Sequence, residues 1–171
     1  GHPGMASLAL SQHCYEHDAP ADGKVPRRRF GRTELQMPIL SLGGMRFHTD
    51  GRLEAAERAA RIVQRALELG VNHIETAQMY SNSEDYLGAA LRQWPRDAYI
   101  LQTKAAPSAD PQRFKAGVLA SLTRLHASHL DLLSFHGIND EEKLEQVLRP
   151  GGCLEVAREL QKERKVRFLG F

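Results

Sequence analysis

The sequence predicts an α/β fold and, within that class, a parallel (β/α)8 barrel of the TIM type. Strand-like apolar runs alternate with amphipathic helical stretches four times between residues 39 and 171. This alternation indicates right-handed βαβ units around a parallel sheet. The first strand-to-helix turn reads GGMRF and lacks the GxGxxG that a dinucleotide-binding open sheet carries there. The barrel is therefore favoured over an open doubly wound sheet.

The first two strand-helix units follow from their periodicity. ILSLGG is a buried strand ending in glycines, and LEAAERAARIVQRALELG is a helix that ends at Gly70. VNHIE is the second strand and SEDYLGAALRQW the second helix, with Ser81 or Ser83 as its N-cap. The first helix has apolar residues at helical spacing, which are Leu53, Ala56, Ala60, Val63 and Leu67.

The remaining units continue the pattern. AYILQT is the third strand, and Asp110 caps a third helix that has Pro111 at its first position. HLDLLSF is the fourth strand, DEEKLEQVLR and CLEVARELQKER supply helical cover, and VRFLGF begins a fifth strand. A TIM barrel needs about 250 residues, so this chain covers about strands 1 to 5. We expect a longer natural chain or assembly of half-barrels, because strands 1 and 5 would otherwise be unpaired edges.

Residues 1–26 form a separate segment ahead of the barrel, which occupies residues 27–171. GHPG before Met5 is typical of a tag remnant, and the polar stretch after it has no periodicity and is predicted to be a flexible arm. Its His13, Cys14 and His17 have metal-binding chemistry, but three ligands in such an arm do not make a site, and we predict no metal. RRFGRTELQMP then forms a short hairpin around the turn at residues 31–34.

Composition limits the classes of function. The chain has 171 residues with 23 basic and 21 acidic side chains, and the net charge of +2 is spread along it. This balance predicts neither nucleic acid nor membrane as a partner and leaves a small molecule or a protein. No apolar run approaches the length of a membrane span. The two cysteines, Cys14 and Cys153, lie far apart, which fits a reducing compartment and predicts a cytoplasmic protein.

Ionisable residues stand where three consecutive predicted strands end. Glu75 ends the second strand with Tyr80 in the loop behind it, QTK places Lys104 at the end of the third, and SFH places His136 after the fourth. The carboxyl ends of parallel strands share one face, so these groups are expected to meet there. Taken singly, Lys104 is more often a solvated loop lysine and His136 a hydrogen-bonded packing residue. Together they favour a site.

The set predicts proton transfer. A phenol has an ordinary pKa of about 10 and is a poor acid near neutrality. An ammonium about 4 Å away stabilises a phenolate by about 4 kcal/mol at an effective dielectric near 20. Lys104 beside Tyr80 would therefore make a usable acid, Glu75 would hold the ammonium, and His136 would direct a carbonyl. Such an arrangement protonates an alkoxide as hydride arrives.

The motifs MPILSLGGMRF, GVNHIETAQMYSNSEDYLGAALRQ, AYILQTKAA, HLDLLSFHGIND and KVRFLGF, in this order, resemble the aldo/keto reductase family. The resemblance runs from about Arg29 to Phe171. It implies a (β/α)8 barrel that reduces a small carbonyl substrate with NADPH through an Asp, Tyr, Lys and His tetrad. On the matching positions Tyr80 is the proton donor, Lys104 its partner and His136 the residue that orients the carbonyl. Gly44 and Met45 match positions near the nicotinamide.

Glu75 departs from the family pattern, which has Asp there. The extra methylene is expected to move the carboxylate by about 1.5 Å unless the backbone compensates. Glu at this position resembles a branch whose members often carry a C-terminal iron–sulfur segment, although clustered cysteines are absent here. The resemblance also implies that most contacts to the cofactor phosphates come from loops after strands five to eight. Two alternatives to a reductase stay open: a cofactor-binding sensor or regulatory subunit with little turnover, and a fragment without activity of its own.

Other chemically active side chains are given structural interpretations. Trp94 is expected to pack the second helix onto the barrel, His126 and His129 to lie on the surface, and Cys153 to be a buried small hydrophobe. Arg46 and His48 follow the first strand, where they either line a substrate mouth or are solvated. The oligomeric state is left open by the sequence.

Overall fold

A parallel sheet of five strands dominates the computed structural model, which describes residues 22–47 and 53–171. In the sheet each strand is hydrogen-bonded to the next strand along the chain. The strands are β3 (Leu42–Gly43), β4 (His73–Glu75), β5 (Ile100–Ala105), β6 (Leu130–Phe135) and β7 (Val166–Gly170). A doubly wound sheet reverses its strand order at a switch point, and this sheet does not. It is the partial (β/α)8 barrel that the sequence predicts.

Within the described residues, five α-helices connect the strands. They are α1 (Leu53–Glu68), α2 (Ser83–Leu91), α3 (Pro111–Arg124), α4 (Glu141–Leu148) and α5 (Cys153–Lys162). Ahead of the sheet, β1 (Arg27–Arg29) pairs antiparallel with β2 (Gln36–Pro38), and a 3-10 turn at Gly31–Thr33 joins them. This is the predicted hairpin. His13, Cys14, His17 and His48 lie outside the described residues. None of the described helices combines the length and the apolar character needed to cross a membrane.

The core lies between the sheet and the helices. Ile74, Leu101 and Leu133 are fully buried from the sheet and pack in one cluster with side chains from the helices, including Val63, Leu87, Val118 and Leu160. Complete burial of each such side chain contributes about 1.5–3 kcal/mol. Cys153 is fully buried in the same cluster, as expected. Trp94 is partly buried against it.

The buried face of α1 agrees only in part with the predicted one. Ala55, Ala59 and Val63 are buried, whereas Leu53 is 74% exposed. These buried residues are four apart and so share one side of the helix. Ala55 and Ala59 pack with Tyr86 of α2, and small side chains allow the two helices to lie close together. Of the predicted apolar residues, Val63 is fully buried and Ala56, Ala60 and Leu67 are partly buried against the core, so Leu53 is the one that was wrong.

Two further predictions at the start of the barrel were wrong in detail. The predicted first strand ILSLGG is reduced to the two residues of β3, and Ile39 and Leu40 ahead of it are each 58% exposed. Neither Ser81 nor Ser83 occupies the N-cap of α2, which is Asn82. The hydroxyl of Ser83 instead lies 2.8 Å from that of Thr76. By contrast, Asp110 caps α3 as predicted, accepting from the Gln112 N–H at 2.9 Å.

Gly88 allows α2 and α3 to approach each other. A β-carbon added at Gly88 would collide with the backbone carbonyl of Arg124, the last residue of α3, and would lie 3.0 Å from the Leu125 α-carbon. Backbone cannot move aside as a flexible side chain can. The contact between the two helices therefore depends on a glycine at this position.

Asp131 connects the amino ends of three strands through hydrogen bonds. Its carboxylate accepts from the Leu101 N–H at 2.9 Å, from Arg96 Nη2 at 2.6 Å and from Arg167 Nη1 at 2.7 Å. Burial raises the pKa of Asp131, but the Leu101 N–H and the two guanidinium groups outweigh it and hold the pKa below its ordinary value. Its side chain is only 4% exposed, so these bonds are largely shielded from water.

Replacing Asp131 with Asn is expected to lower the free energy of unfolding at neutral pH by about 2 kcal/mol, because hydrogen bonds to a charged group are lost. The folded-state pKa lies below the unfolded value of about 3.9. The stabilisation is therefore present above about pH 4 and is lost as pH falls through the folded-state pKa. Urea unfolding of both proteins between pH 7 and pH 3 measures the difference.

The exposed Asp97 beside this cluster gives a matched control. Asp97→Asn should leave the free energy of unfolding within about 0.5 kcal/mol of the wild-type value at every pH. A deficit for Asp131→Asn that stays constant down to pH 3 would contradict the assigned role of its charge.

Candidate active site

A row of polar side chains lies on the face of the sheet that is opposite the helices. Side chains alternate across a strand, so His73 and Glu75 of β4 share this face, as do Gln102 and Lys104 of β5. Ser134 of β6 completes a hydrogen-bonded row with Ser41, His73 and Gln102, which we call the interior layer. The Ser41 Oγ to His73 Nδ1 distance is 2.6 Å, His73 Nε2 to Gln102 Oε1 is 2.9 Å, and Gln102 Nε2 donates to Ser134 Oγ at 2.9 Å.

Lys104 is the centre of the predicted catalytic set. Its Nζ donates to Tyr80 Oη at 3.0 Å and forms an ion pair with Glu75 Oε1. It also lies 3.4 Å from the carbonyl oxygen of Thr76. The His136 ring meets the Tyr80 ring edge-on, with centroids 5.8 Å apart and an interplanar angle of 89°. The structure thus brings Glu75, Tyr80, Lys104 and His136 together.

Sheet register and one turn account for this convergence. Glu75 pairs with Gln102 and Lys104 pairs with Ser134, so the groups are slightly staggered along the sheet. After β4 the ladder continues into the loop, where the Gln78 N–H donates to the Lys104 carbonyl at 3.1 Å. Ser81 then adopts a left-handed φ of 47°. The loop between these two residues places Tyr80 beside Lys104.

His136 is held by the same extension of the ladder. It follows the last residue of β6, and its backbone N–H donates to the Ala105 carbonyl at 2.8 Å. Its Nδ1 is buried and makes no hydrogen bond within the part of the chain that the structure describes. The imidazole therefore retains hydrogen-bonding capacity at this nitrogen.

Glu75 reaches Lys104 despite its extra methylene. Its backbone carbonyl accepts from the Gly44 N–H at 2.7 Å, so the strand end is fixed independently of the side chain. Gly43 is its register partner on β3, and a β-carbon there would lie 3.5 Å from Glu75 Oε2. The longer carboxylate thus lies beside Gly43, at ordinary contact distance from where a β-carbon would be.

Burial sets the charge states around the site. It lowers the pKa of the Lys104 ammonium below its ordinary value. Burial also lowers the pKa of His136, and the positive charge of Lys104 lowers it further. In the interior layer, burial lowers the pKa of His73, although its hydrogen bond to Gln102 opposes this. Both histidines are therefore neutral at pH 7, and each offers one donor and one acceptor nitrogen.

Gly44 and Met45 lie in the loop that follows β3. A β-carbon on Gly44 would collide with Ser83 Oγ and would lie 3.3 Å from Leu87 Cδ1, so this glycine is required where the loop crosses α2. Met45 is 54% exposed, and Arg46 is also exposed. Their side chains are free to contact a ligand. No group of three His, Cys, Asp or Glu side chains that could bind a metal occurs in residues 22–47 and 53–171.

The interior layer was not predicted from the sequence, although a sequence pattern indicates it. Polar residues recur at every second position of three strands: His73 and Glu75, Gln102 and Lys104, Ser134 and His136. A half-buried strand normally alternates in this way when its polar face meets water. In a barrel that face is the interior, so the same alternation indicates a polar lumen leading to the site.

The neutral state of His136 can be measured directly. Its imidazole should titrate below the ordinary value of about 6.5, because burial and the nearby Lys104 charge both disfavour the imidazolium. Two-dimensional NMR of ring-labelled histidine measures the midpoint, and His136→Gln identifies the resonance. Unfolding in urea should return the midpoint to about 6.5. A midpoint in the folded protein above this value would contradict the assignment.

Gly44 can be tested as a packing residue. Gly44→Ala is expected to lower the free energy of unfolding by about 1–3 kcal/mol, because a methyl group there overpacks the contact with Ser83 and Leu87. Thermal unfolding without any added ligand measures the effect, and Ser83→Ala combined with Gly44→Ala should recover part of it. An unchanged melting temperature for Gly44→Ala would contradict the assigned contact.

Comparison with known proteins gives one family match and three similar proteins. A model of the aldo/keto reductase family matches residues 39–171. The chain is similar to an uncharacterized oxidoreductase, YqkF, of Bacillus subtilis, with 29% identity over 84% of this chain and 47% of that protein. It is also similar to a putative voltage-gated potassium channel subunit beta of Schizosaccharomyces pombe, with 30% identity over 73% of this chain and 40% of that protein.

A solved aldo-keto reductase from Klebsiella pneumoniae in complex with NADPH is similar in structure, with a TM-score of 0.67 and 25% identity. The match covers 85% of this chain and 49% of that one. The chain thus spans about half the length, or somewhat less, of these proteins. The family that the motifs indicated is confirmed, because its model covers most of the chain. The chain belongs to the aldo/keto reductase family.

Proposed function

We propose that the protein is an NADPH-dependent oxidoreductase that reduces an aldehyde or ketone to an alcohol. The observation that carries this proposal is the short contact between the Tyr80 phenol and the ammonium of Lys104, which is itself paired with Glu75. A small carbonyl compound is the proposed substrate. We also infer a cytoplasmic location, since a reducing compartment suits a chain with two widely separated cysteines.

The chain's own groups supply the proton. As a carbonyl carbon is reduced, its oxygen gains negative charge and must be protonated. The Tyr80 O–H bond breaks and a new O–H bond forms on the carbonyl oxygen, leaving a phenolate on Tyr80. An ammonium 4 Å from an anion stabilises it by about 4 kcal/mol at an effective dielectric near 20. Lys104 Nζ is closer than that, at 3.0 Å. Glu75 holds the ammonium beside the phenol.

His136 is proposed to orient the carbonyl. Its lowered pKa keeps the imidazole neutral at pH 7, so it offers an N–H donor without competing with Tyr80 as an acid. Its edge-on contact with the Tyr80 ring places the imidazole beside the proton donor. A carbonyl oxygen that accepts hydrogen bonds from both groups would stay in place while the carbon–oxygen double bond becomes a single bond.

The residues present fit a nicotinamide cofactor. NADPH, when bound, supplies the hydride for the carbonyl carbon. Met45 has an exposed side chain two residues from Gly43, which borders the Glu75 carboxylate. Gly44 contributes by letting this loop lie against α2. His136 Nδ1 adds hydrogen-bonding capacity that no described residue uses. The NADPH in the similar Klebsiella pneumoniae structure supports the choice of cofactor.

Replacing Tyr80 with Phe is expected to reduce kcat for carbonyl reduction by at least about a hundredfold, because the proton donor is lost while the ring remains. The full-length protein should be assayed by NADPH oxidation with a panel of aldehydes and ketones. The Kd for NADPH should stay within about threefold of wild type. Tyr99→Phe makes the same chemical change beside Asp131, at the other end of the sheet, and should leave kcat unchanged.

Equal turnover in wild type and Tyr80→Phe would contradict the proposed role of Tyr80. Absence of NADPH binding together with absence of turnover would contradict the oxidoreductase proposal as a whole.

A second candidate is a cofactor-binding subunit with regulatory function and little turnover. The similarity to a putative potassium channel subunit beta and the replacement of the usual Asp by Glu75 favour it. NADPH binding with very slow turnover would support this candidate, particularly if Glu75→Asp raised kcat by about tenfold or more.

A further inference from the structure

A second set of hydrogen bonds connects the strand of Lys104 with the loop of Tyr80, behind the sheet. Thr103 Oγ1 donates to Glu84 Oε1 at 2.6 Å, and Arg124 Nε donates to Glu84 Oε2 at 2.7 Å. Arg124 Nη2 lies 3.3 Å from Ser121 Oγ, and Gln78 Nε2 donates to the same hydroxyl at 3.1 Å. We call Thr103, Glu84, Arg124, Ser121 and Gln78 the Glu84 network.

The network is buried at its centre. The Glu84 side chain is 2% exposed, and Thr103 and Ser121 are fully buried, while the Arg124 side chain is 37% exposed. A buried carboxylate is costly unless it is paired and hydrogen-bonded, and here both oxygens of Glu84 have partners. A satisfied buried network strongly favours one arrangement, because any other leaves a desolvated charge without a partner. It therefore acts as a rigid connection.

The two ends of the network flank the reacting groups. Thr103 immediately precedes Lys104 on β5, and Gln78 lies two residues before Tyr80 in the loop after β4. The Gln78 side chain is also confined by α3, because a β-carbon at Gly117 would lie 3.2 Å from its Nε2. The loop that carries Tyr80 is thus attached to α3 by a side chain, in addition to the backbone bond from Gln78 to Lys104.

We propose that the Glu84 network positions the Tyr80 phenol against Lys104, with Gln78 and Glu84 as positioning residues. This inference rests on the proton-transfer role proposed above. The direct contact of 3.0 Å between Tyr80 and Lys104 is a single hydrogen bond at the edge of the sheet. A displacement of about 1 Å at such a contact can cost about a hundredfold in rate. Attachment of the loop to a buried ion pair limits that displacement.

Gln78→Ala and Ser121→Ala, each in the full-length protein, test the end of the network nearest Tyr80. Each should lower kcat by about tenfold and leave KM within about twofold, because substrate binding is not altered. The double variant should lose no more than about the larger single loss, since both changes remove the same hydrogen bond. Fully additive losses in kcat would overturn the proposal.

Two control residues lie outside the network, one on α1 and one on α3. Gln64→Ala removes an exposed glutamine that bonds to Glu68 on α1, and Thr123→Ala removes a hydroxyl on α3 that bonds to the Leu119 carbonyl. Neither belongs to the network, so both should keep wild-type kcat. If Thr123→Ala lowered kcat as much as Ser121→Ala, the effect would reflect α3 as a whole, and the proposal would fail.

A spectroscopic readout separates this inference from the proposed function. The ¹³Cζ resonance of Tyr80, identified with Tyr80→Phe, reports the environment of the phenol without any turnover. Gln78→Ala and Ser121→Ala should shift it, and the two controls should not. An unmoved resonance in both network variants would overturn the positioning role even if the enzyme is active. A shifted resonance in a protein without reductase activity would retain the positioning of Tyr80 and reject only its catalytic use.

Discussion

One ammonium group, on Lys104, determines the arrangement of the whole site. It lies on β5, between the strands that bring Glu75 and His136, and it contacts the phenol of Tyr80 directly. Its side chain is only 20% exposed, and a largely buried charge is stable only when it is paired and hydrogen-bonded. Glu75 meets the first requirement, and Tyr80 with the Thr76 carbonyl meets the second. The same constraint that stabilises the cation therefore brings together the groups to which we assign proton transfer.

The Asp131 cluster and the candidate active site lie at opposite ends of the sheet. The amino ends of β5, β6 and β7 converge on Asp131, whose two arginine partners and backbone donor close that end. The carboxyl ends carry the ionisable groups of the site, with the interior layer between the two ends. This division is typical of TIM barrels, in which one face of the barrel holds the active site and the other maintains the fold. Charged groups at one end of the sheet thus stabilise the fold, while those at the other end form the candidate site.

The sequence predicted the features that depend on residue spacing along the chain. It missed the features that depend on contacts between helices and strands. The alternation of strands and helices predicted the barrel, and the TAxxYxxSE motif with TK and H on the next strands predicted the four residues that meet. The face of α1 was predicted in part: Val63 is buried as expected, whereas Leu53 is exposed and the contact with α2 buries Ala55 and Ala59. The predicted N-cap of α2 was wrong, because the Ser83 hydroxyl instead forms a hydrogen bond with the Thr76 hydroxyl. The Glu84 network could not be predicted, since Thr103, Glu84 and Ser121 meet only after three elements have packed.

Gly88 has a consequence for protein engineering. It lies one helical turn after Glu84, and its lack of a side chain lets the end of α3 approach close enough for Arg124 to reach that carboxylate. In an isolated helix, exchange of glycine for alanine is favourable by about 1 kcal/mol. A stabilisation campaign guided by helix propensity would therefore choose this residue early. Here the same exchange would separate two helices and open the ion pair beneath them, so an intrinsically poor helix former is the residue that the tertiary structure requires.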